Sequence, residues 1–139
     1  MKRKLPRSNK WFTYENLNPE GLYAGDCSVR CVAKGLGVSW QEAYKELAEE
    51  GIKLSRVMSD VEVIRQVLEK HGFESKSVIL KKGDKRPTMR TLLEQFPHHT
   101  IIGRCARHVM CGTDGKVYDT WDSSTRSLYL YFIKDNNKI

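Results

Sequence analysis

The first two thirds of the chain repeat apolar residues at the spacing of a helix. Within one such segment Val61, Ile64, Val67 and Leu68 fall on a single helical face. Capping-box pairs and N-terminal turn signals open the segments, and glycine or proline closes them. The pattern predicts four helices. They start at Cys27, Ser39, Ser59 and Thr88, and end near Gly37, Gly51, His71-Gly72 and Pro97.

The last part of the chain is rich in β-forming residues instead. Five segments are predicted as strands: Ser75–Leu80, Thr100–Cys105, Arg107–Gly112, Lys116–Trp121 and Ser127–Ile133. Thr113-Asp114-Gly115 is a strong hairpin signal between two of them. Since helices come first and strands last, we predict an α+β fold with N-terminal helices packed on a C-terminal antiparallel sheet.

The 139 residues suit one domain, which we take as residues 1–139, because no repeat or linker divides the chain. Residues 1–20 are predicted to form an irregular arm. Its aromatic residues Trp11, Phe12 and Tyr14 are expected to pack on the domain, and residues 1–15 form a basic, flexible stretch. No apolar run approaches the roughly 20 residues of a membrane span. Without a secretory h-region, the expected location is the cytoplasm.

The net charge of +7 makes anionic partners relevant. Basic residues cluster in the N-terminal arm and again over Lys81–Arg90. Nucleic acid is one partner that this charge would attract, and an acidic protein or peptide is another. The plainer interpretation is that these residues form solvated loops and a tail.

Cys27 follows Gly25-Asp26 at the predicted start of a helix. There the unpaired amides and the helix dipole lower the pKa of a thiol and make it nucleophilic. A cysteine in this place is otherwise a small buried apolar residue. A nucleophilic cysteine also needs a base, and the base needs an acceptor that orients it.

His108 is the candidate base, and the predicted hairpin supplies its acceptor. With a two-residue turn at Asp114-Gly115, His108 and Asp119 are diagonal neighbours on one face of the sheet. A four-residue loop would keep them on one face, whereas Asp122 falls on the other face in either register. We therefore predict that Asp119 holds His108, although both are also plausible as ordinary strand residues.

The other cysteines offer two further interpretations. Cys31 lies one helical turn after Cys27 and is either core or a resolving thiol. Cys105 and Cys111 bracket His108 at ligand-like spacing, but on one continuous strand both would lie on the face opposite His108. They are therefore predicted to be packing residues, and neither a metal ion nor a cofactor is expected.

These residues form a recognisable set. It comprises Gly25-Asp26-Cys27-Ser28-Val29-Arg30, Ser39-Trp40, Tyr44, His108-Val109 and Tyr118-Asp119-Thr120-Trp121-Asp122-Ser123. The set resembles a family of small phage and bacterial papain-like cysteine peptidases, and is distantly similar to the leader peptidases that process double-glycine bacteriocin precursors. The resemblance covers about residues 16–133. It implies a papain-like fold with Cys27, His108 and Asp119 as a catalytic triad.

One position departs from that family. Papain-like peptidases usually carry a glutamine about six residues before the cysteine, as a donor to the oxyanion hole. Here Gly21 stands at that position, and no glutamine occurs among residues 1–26. Asn18 is the candidate replacement, and the backbone amide of Cys27 is a second one.

The predicted function is a thiol hydrolase, a cysteine peptidase or related acyl-transfer enzyme, acting on a peptide or isopeptide in a protein substrate. The alternative is a catalytically inactive papain fold, encoded by a phage, whose basic surface binds a host protein or nucleic acid in the host cytoplasm. The missing glutamine and the charge of +7 favour that alternative. A redox protein that uses Cys27 and Cys31 is the third interpretation.

Overall fold

The computed structural model describes residues 8–137 and shows an α+β fold. The helices are α1 (Cys27–Leu36), α2 (Trp40–Leu54), α3 (Val61–Lys70) and α4 (Met89–Gln95). The strands are β1 (Phe12–Tyr14), β2 (Glu74–Ser77), β3 (His99–Cys105), β4 (His108–Thr113), β5 (Lys116–Asp119) and β6 (Leu130–Asp135). Four predicted helices and five predicted strands are thus confirmed, some with shifted ends.

The strands form one mixed sheet in the order β1-β5-β4-β3-β6-β2. Two tight hairpins build its centre. Ala106 and Arg107 join β3 to β4, since Cys105 pairs with His108. Asp114 and Gly115 join β4 to β5, with φ angles of 52° and 77° that suit a two-residue turn of this kind. The predicted turn is therefore confirmed.

The N-terminal arm differs from its prediction. Phe12–Tyr14 is a strand, and it pairs with β5 in parallel, from Phe12 opposite Val117 to Tyr14 opposite Asp119. The sheet is therefore mixed, where a purely antiparallel one was predicted. Phe12 is completely buried, which explains why this short segment is held against the sheet. Residues 1–7 of the predicted basic arm lie outside the described residues.

Two helix boundaries also differ. Gly51 does not end α2 but lies inside it, where the helix runs close to the following loop. A Cβ atom there would stand 2.7 Å from the carbonyl oxygen of Arg56, so only glycine permits this approach. The N-cap of α3 is Asp60 rather than Ser59, and its carboxylate accepts a hydrogen bond from the backbone N–H of Glu62.

The sheet carries a hydrophobic core on each face. Helices α1 and α3 cover one face, on which Ile102, Cys111 and Phe132 are buried, and α2 packs on these two helices. Helix α4 covers the other, on which Ile101 and Met110 are buried. None of the helices within residues 8–137 has the length and apolarity that a bilayer crossing requires. The start of α1 thus lies beside the central strands, where Cys27 meets the ends of β4 and β5.

Candidate functional site

Cys27 is the first residue of α1 and is partly exposed. Asp26 occupies the N-cap position, but its side chain makes no capping hydrogen bond. The carboxylate accepts hydrogen bonds from Arg30, Asn18 and Trp40 instead. Since the first intrahelical bond runs from the N–H of Arg30 to the carbonyl of Asp26, the amides of the first turn remain directed toward the thiol end of the helix.

The surroundings of Cys27 favour its thiolate. Burial alone raises the pKa of the thiol, but a hydrogen bond from His108, one from the backbone N–H of Val109 and the positive charges of His108 and Arg30 outweigh it. The pKa of Cys27 therefore lies below the ordinary value of 9.0. A thiol with this pKa shift is a better nucleophile near neutral pH than an unperturbed cysteine.

His108 lies against Cys27 and is held by Asp119. It is the first residue of β4, whereas Asp119 is the last residue of β5, so the hairpin brings both to the same end of the sheet. Nε2 of His108 lies 2.6 Å from Oδ2 of Asp119. This leaves Nδ1 as the ring nitrogen for Cys27. Burial lowers the pKa of His108, but the bonds to Asp119 and Cys27 raise it to about 9.

Asp119 is a buried carboxylate with a full set of donors. Only 1% of it is exposed. Oδ2 accepts from Ser123 Oγ at 2.7 Å as well as bonding His108, and Oδ1 accepts from the N–H of Thr120 at 2.7 Å. Burial raises the pKa of Asp119, but these hydrogen bonds and the charge of His108 bring it below the ordinary 3.8. The carboxylate is therefore ionised and fixed in orientation.

Arg30 links the start of α1 to Asp119. Its Nη1 donates to Asp119 Oδ1 at 3.1 Å, and its Nε donates to Asp26 Oδ1 at 3.0 Å. Asp26 in turn accepts from Trp40 Nε1 at 2.8 Å and from Asn18 Nδ2 at 3.1 Å. These contacts explain why Asp26 does not cap α1. They tie the helix that carries the thiol to the strand that carries Asp119.

Asn18 is placed within this same network. It is 8% exposed, and its Oδ1 accepts from the backbone N–H groups of Glu20 and Leu22. One hydrogen of its amide is directed to Asp26. Asn18 thus organises the loop before α1. The oxyanion role suggested for it stays a prediction.

A cleft of about 270 Å³ opens beside Cys27 and His108. Residues from the start of α1, the start of α3 and the β3–β4 hairpin line it: Gly25, Cys27, Ser28, Ser59, Ile64, Arg104, Arg107, His108 and Val109. Trp121 covers the imidazole, with ring centroids 4.8 Å apart. A larger cavity, of about 510 Å³, lies between β2, β6 and the start of β3, and none of the predicted site residues lines it.

The remaining cysteines are buried in the two cores. Burial raises the pKa of Cys31, of Cys111 and of Cys105 above the ordinary value, which keeps all three as thiols. The face predicted for Cys105 is wrong. The chain turns at Ala106-Arg107, so Cys105 pairs directly with His108 and shares its side of the sheet. Among residues 8–137 no group of three possible metal ligands lies close together.

In the predicted basic segment Lys81–Arg90, the arginines contact other side chains of the protein and the lysines are exposed. Arg90 donates to Asp122 at 3.2 Å and to Ser124, and Arg86 stacks over the ring of Tyr129. Lys81, Lys82 and Lys85 are exposed. Asp122 therefore contacts Arg90 and not His108.

No protein-family model matches this chain, and neither a curated protein nor a solved structure matches it. The resemblance to papain-like peptidases therefore stays a prediction, and the contacts of the site carry the functional interpretation.

Arg30, Asp26 and Trp40 were noted in the sequence only as parts of a motif and received no role. The four-residue spacing of Asp26 and Arg30 on a helix is a signal for their ion pair. No local pattern predicts that Arg30 also reaches Asp119, since that contact joins distant parts of the chain. Arg104 and Arg107 were likewise not predicted as cleft residues.

Proposed function

We propose that this protein is a papain-like thiol hydrolase that cleaves a peptide or isopeptide bond inside the cell. The observation that carries the proposal is one array: a thiol at a helix start, an imidazole that lines the same cleft and lowers the pKa of that thiol, and a buried carboxylate 2.6 Å from the imidazole. Each group shifts the pKa of its neighbour in the direction that a nucleophile–base pair needs. The family resemblance, including its phage association, is consistent with this chemistry.

In the proposed reaction the thiolate of Cys27 attacks the substrate carbonyl carbon and forms a C–S bond. The imidazolium of His108 then gives its proton to the leaving amine as the C–N bond breaks. Water attacks the resulting thioester while His108 takes a proton from it. The C–S bond breaks, the acid product leaves and the thiolate is restored. Asp119 keeps the imidazole oriented, so that Nδ1 faces the sulfur.

The negative oxygen that forms during attack needs hydrogen-bond donors. The first-turn amides of α1 are suited to this role because Asp26, which would otherwise cap them, is turned toward Arg30, Asn18 and Trp40. The backbone N–H of Cys27 is the proposed principal donor. A glutamine side chain is then not essential for a basal reaction.

The test is the pH dependence of iodoacetamide labelling, resolved by mass spectrometry for each cysteine. We expect Cys27 to label rapidly well below pH 9, because its thiolate is stabilised. His108→Ala removes the hydrogen bond and the charge that stabilise the thiolate, so fast labelling should move to higher pH. Cys31, Cys105 and Cys111 are internal references, since burial raises the pKa of each.

His98→Ala is the matched control, because His98 is an exposed histidine. This variant should label at Cys27 like the parent protein. If Cys27 labels with the profile of an ordinary thiol and ignores His108→Ala, the hydrolase proposal fails. If the profile is as expected, Cys27→Ala should abolish cleavage of any peptide that the protein is found to cut.

The alternative function, a binding module, is favoured by one observation. Lys81, Lys82 and Lys85 lie exposed on one loop, in a chain of net charge +7. A catalytically idle protein of this kind would bind random DNA with a steep salt dependence, and Cys27→Ala would bind as well as the parent. The redox alternative is weaker, because burial holds the pKa of Cys31 well above its ordinary value and thus disfavours a resolving thiolate.

A further inference from the structure

Two arginines line the cleft beside Cys27 and have no acidic partner there. Arg104, near the end of β3, and Arg107, in the β3–β4 turn, both contribute to its wall. Within residues 8–137, neither guanidinium forms a hydrogen bond or an ion pair. Most other arginines of the described chain are paired, including Arg30, Arg56, Arg65 and Arg90. The part of the cleft wall formed by Arg104 and Arg107 therefore carries positive charge, and no carboxylate among residues 8–137 lines the cleft beside it.

The position of Arg104 follows from the sheet register. Arg104 pairs across the strands with Val109, whose backbone N–H supports the Cys27 sulfur. Cross-strand partners share a face, so Arg104 lies on the side covered by α1 and α3. It is half-buried there, which strengthens its interaction with an anion relative to a fully solvated arginine.

Arg107 has an unusual backbone. Its φ angle is 58°, in the left-handed region where glycine is the favoured residue. Bulky residues in this region are uncommon and gather at functional sites. Arg107 also directly precedes His108 in the chain. The arginine side chain therefore lies at the edge of the cleft, in a turn conformation that glycine would adopt with less strain.

The nearby acidic groups are already engaged. Asp60, at the start of α3, interacts with the charge of Arg104, but its carboxylate caps α3 and bonds Arg56 at 3.2 Å. Asp26 and Asp119 are bonded to Arg30. No carboxylate lines the cleft itself. What remains unpaired in the cleft is a pair of planar, fork-shaped cations, the geometry that binds carboxylates with two hydrogen bonds.

We propose that Arg104 and Arg107 form a subsite for a carboxylate of the substrate, next to the bond that Cys27 attacks. This deepens the proposed hydrolase function and rests on it, since it names the substrate class as acidic peptides. The carboxylate has two sources, an Asp or Glu side chain or the free C-terminus of a peptide. Both present the same group to the guanidiniums, and the experiment separates them.

The first measurement compares iodoacetate with iodoacetamide at Cys27. The two reagents require the same thiolate and differ in the negative charge of iodoacetate. Their rate ratio therefore reports the field in the cleft and not the pKa of the thiol. In Arg104→Gln/Arg107→Gln we expect the ratio of iodoacetate to iodoacetamide rates to fall by about tenfold. Arg104→Lys/Arg107→Lys should retain most of it.

The matched control removes two charges elsewhere. Lys45 and Lys82 are exposed and do not line the cleft, so Lys45→Gln/Lys82→Gln should leave the ratio nearly unchanged. If the double variant does not fold, Arg107→Gln alone provides the test, because Arg107 is an exposed turn residue whose replacement should leave the fold intact. A ratio that falls equally in the lysine control assigns the effect to net charge and overturns the subsite.

The ratio is also measured at about pH 9.5, where an ordinary thiol is largely ionised. If Cys27 is slow near pH 6 but the ratio at high pH still depends on the arginines, the hydrolase proposal fails and the anion subsite stands. If Cys27 is fast and the ratio ignores the arginines, the subsite fails and the hydrolase proposal stands.

The source of the carboxylate is tested with two pairs of probes. N-acetyl-Asp chloromethyl ketone is compared with its Asn counterpart, and iodoacetylglycine with iodoacetylglycinamide. A preference for Asp over Asn that the arginine variants abolish assigns the subsite to an acidic side chain. A preference for iodoacetylglycine assigns it to a C-terminal carboxylate. No preference in either pair overturns the proposal.

Discussion

Charged side chains meet in two different settings in this molecule. At the site, Arg30 is 13% exposed and contacts Asp26 and Asp119, which are 7% and 1% exposed. On the surface of α3, Arg65 is 37% exposed and pairs with Glu62 and Glu69, which are 33% and 38% exposed. The chemistry of the pairs is the same. The pairs on α3 are solvated, whereas the pairs around Arg30 are largely shielded from water. This difference in burial determines how strongly each set affects stability and orientation.

A buried ion pair adds little net stability, but breaking it is strongly destabilising, because removing one partner leaves the other as an unpaired charge shielded from water. An exposed pair adds little and costs little, since water replaces the lost partner. The network around Arg30 therefore fixes the orientation of Asp26 and Asp119, and removing one of its members should strongly lower the stability of the protein. The pairs on α3 keep a solvated face charged.

Replacing Arg30 gives the largest expected effect. Arg30→Met leaves two buried carboxylates, Asp26 and Asp119, without their shared cation, and should lower the free energy of unfolding by about 4 kcal/mol. It should also slow the labelling of Cys27 near neutral pH, since the charge of Arg30 helps to lower the pKa of that thiol. Urea unfolding and iodoacetamide labelling measure the two effects.

Arg65→Met is the matched change on the surface of α3. It should alter the free energy of unfolding by no more than about 0.5 kcal/mol and leave Cys27 unaffected. Equal losses in the two variants would mean that burial does not separate the two settings.

Replacing Asp119 comes second. Asp119→Asn keeps the shape of the side chain but removes its charge from Arg30 and His108, and we expect a loss of about 3 kcal/mol at pH 7. The pKa of His108 should fall toward 6.5, because its bond to Asp119 is a main reason for the rise to about 9. Fast labelling of Cys27 at neutral pH should be lost with it. Asp122→Asn, next to the site, should change labelling little.

The same variant has a pH signature with a defined sign. The folded pKa of Asp119 lies below its ordinary 3.8. The stability that this carboxylate contributes is complete above pH 3.8 and is lost as the pH falls through the lower, folded pKa. Acid should therefore destabilise Asp119→Asn less steeply than the parent below about pH 4. If the free energy of unfolding falls equally steeply with acid in both proteins, the pKa of Asp119 is not lowered in the folded state.

The last expected effect is a gain in stability, smaller than the losses expected at Arg30 and Asp119. Arg107→Gly relieves a left-handed conformation that costs roughly 1–2 kcal/mol in a residue with a side chain. Glycine also increases the entropy of the unfolded chain, which destabilises the folded protein by about 0.4–1 kcal/mol. We therefore expect a net increase of about 0.5–1 kcal/mol in the free energy of unfolding. Arg107→Ala keeps a Cβ atom and should show no comparable gain. Thermal unfolding of both variants measures the difference, and a less stable glycine variant would show that the turn is not strained.

The parts of the fold that local patterns determine were predictable. Helix α1 runs from Cys27 to Leu36 with Gly37 as its cap, as its composition indicates. The Asp114-Gly115 turn sets the register of β4 and β5 and so places His108 beside Asp119. Each of these depends on residues that are near one another in the chain, which is where sequence patterns are informative.

What was missed depends on long-range contacts. Strand β1 is three residues long and exists because β5 offers it an edge, which no pattern within residues 12–14 reveals. Gly51 resembles a helix stop but is required by the close approach of Arg56. In the site, the reach of Arg30 to Asp119 and the meeting of Arg104 with Cys27 in one cleft depend on tertiary packing in the same way.

The pairing of β1 with β5 has a consequence for synthesis of the protein. Tyr14 lies opposite Asp119, and the N–H of Glu15 donates to the carbonyl of Asp119, so residues made well before Asp119 close the edge of the sheet beside it. On the ribosome, β1 has no partner until β5 has emerged. Because such non-local pairing forms late, we expect a nascent chain to carry a free Cys27 thiol before it carries an activated one.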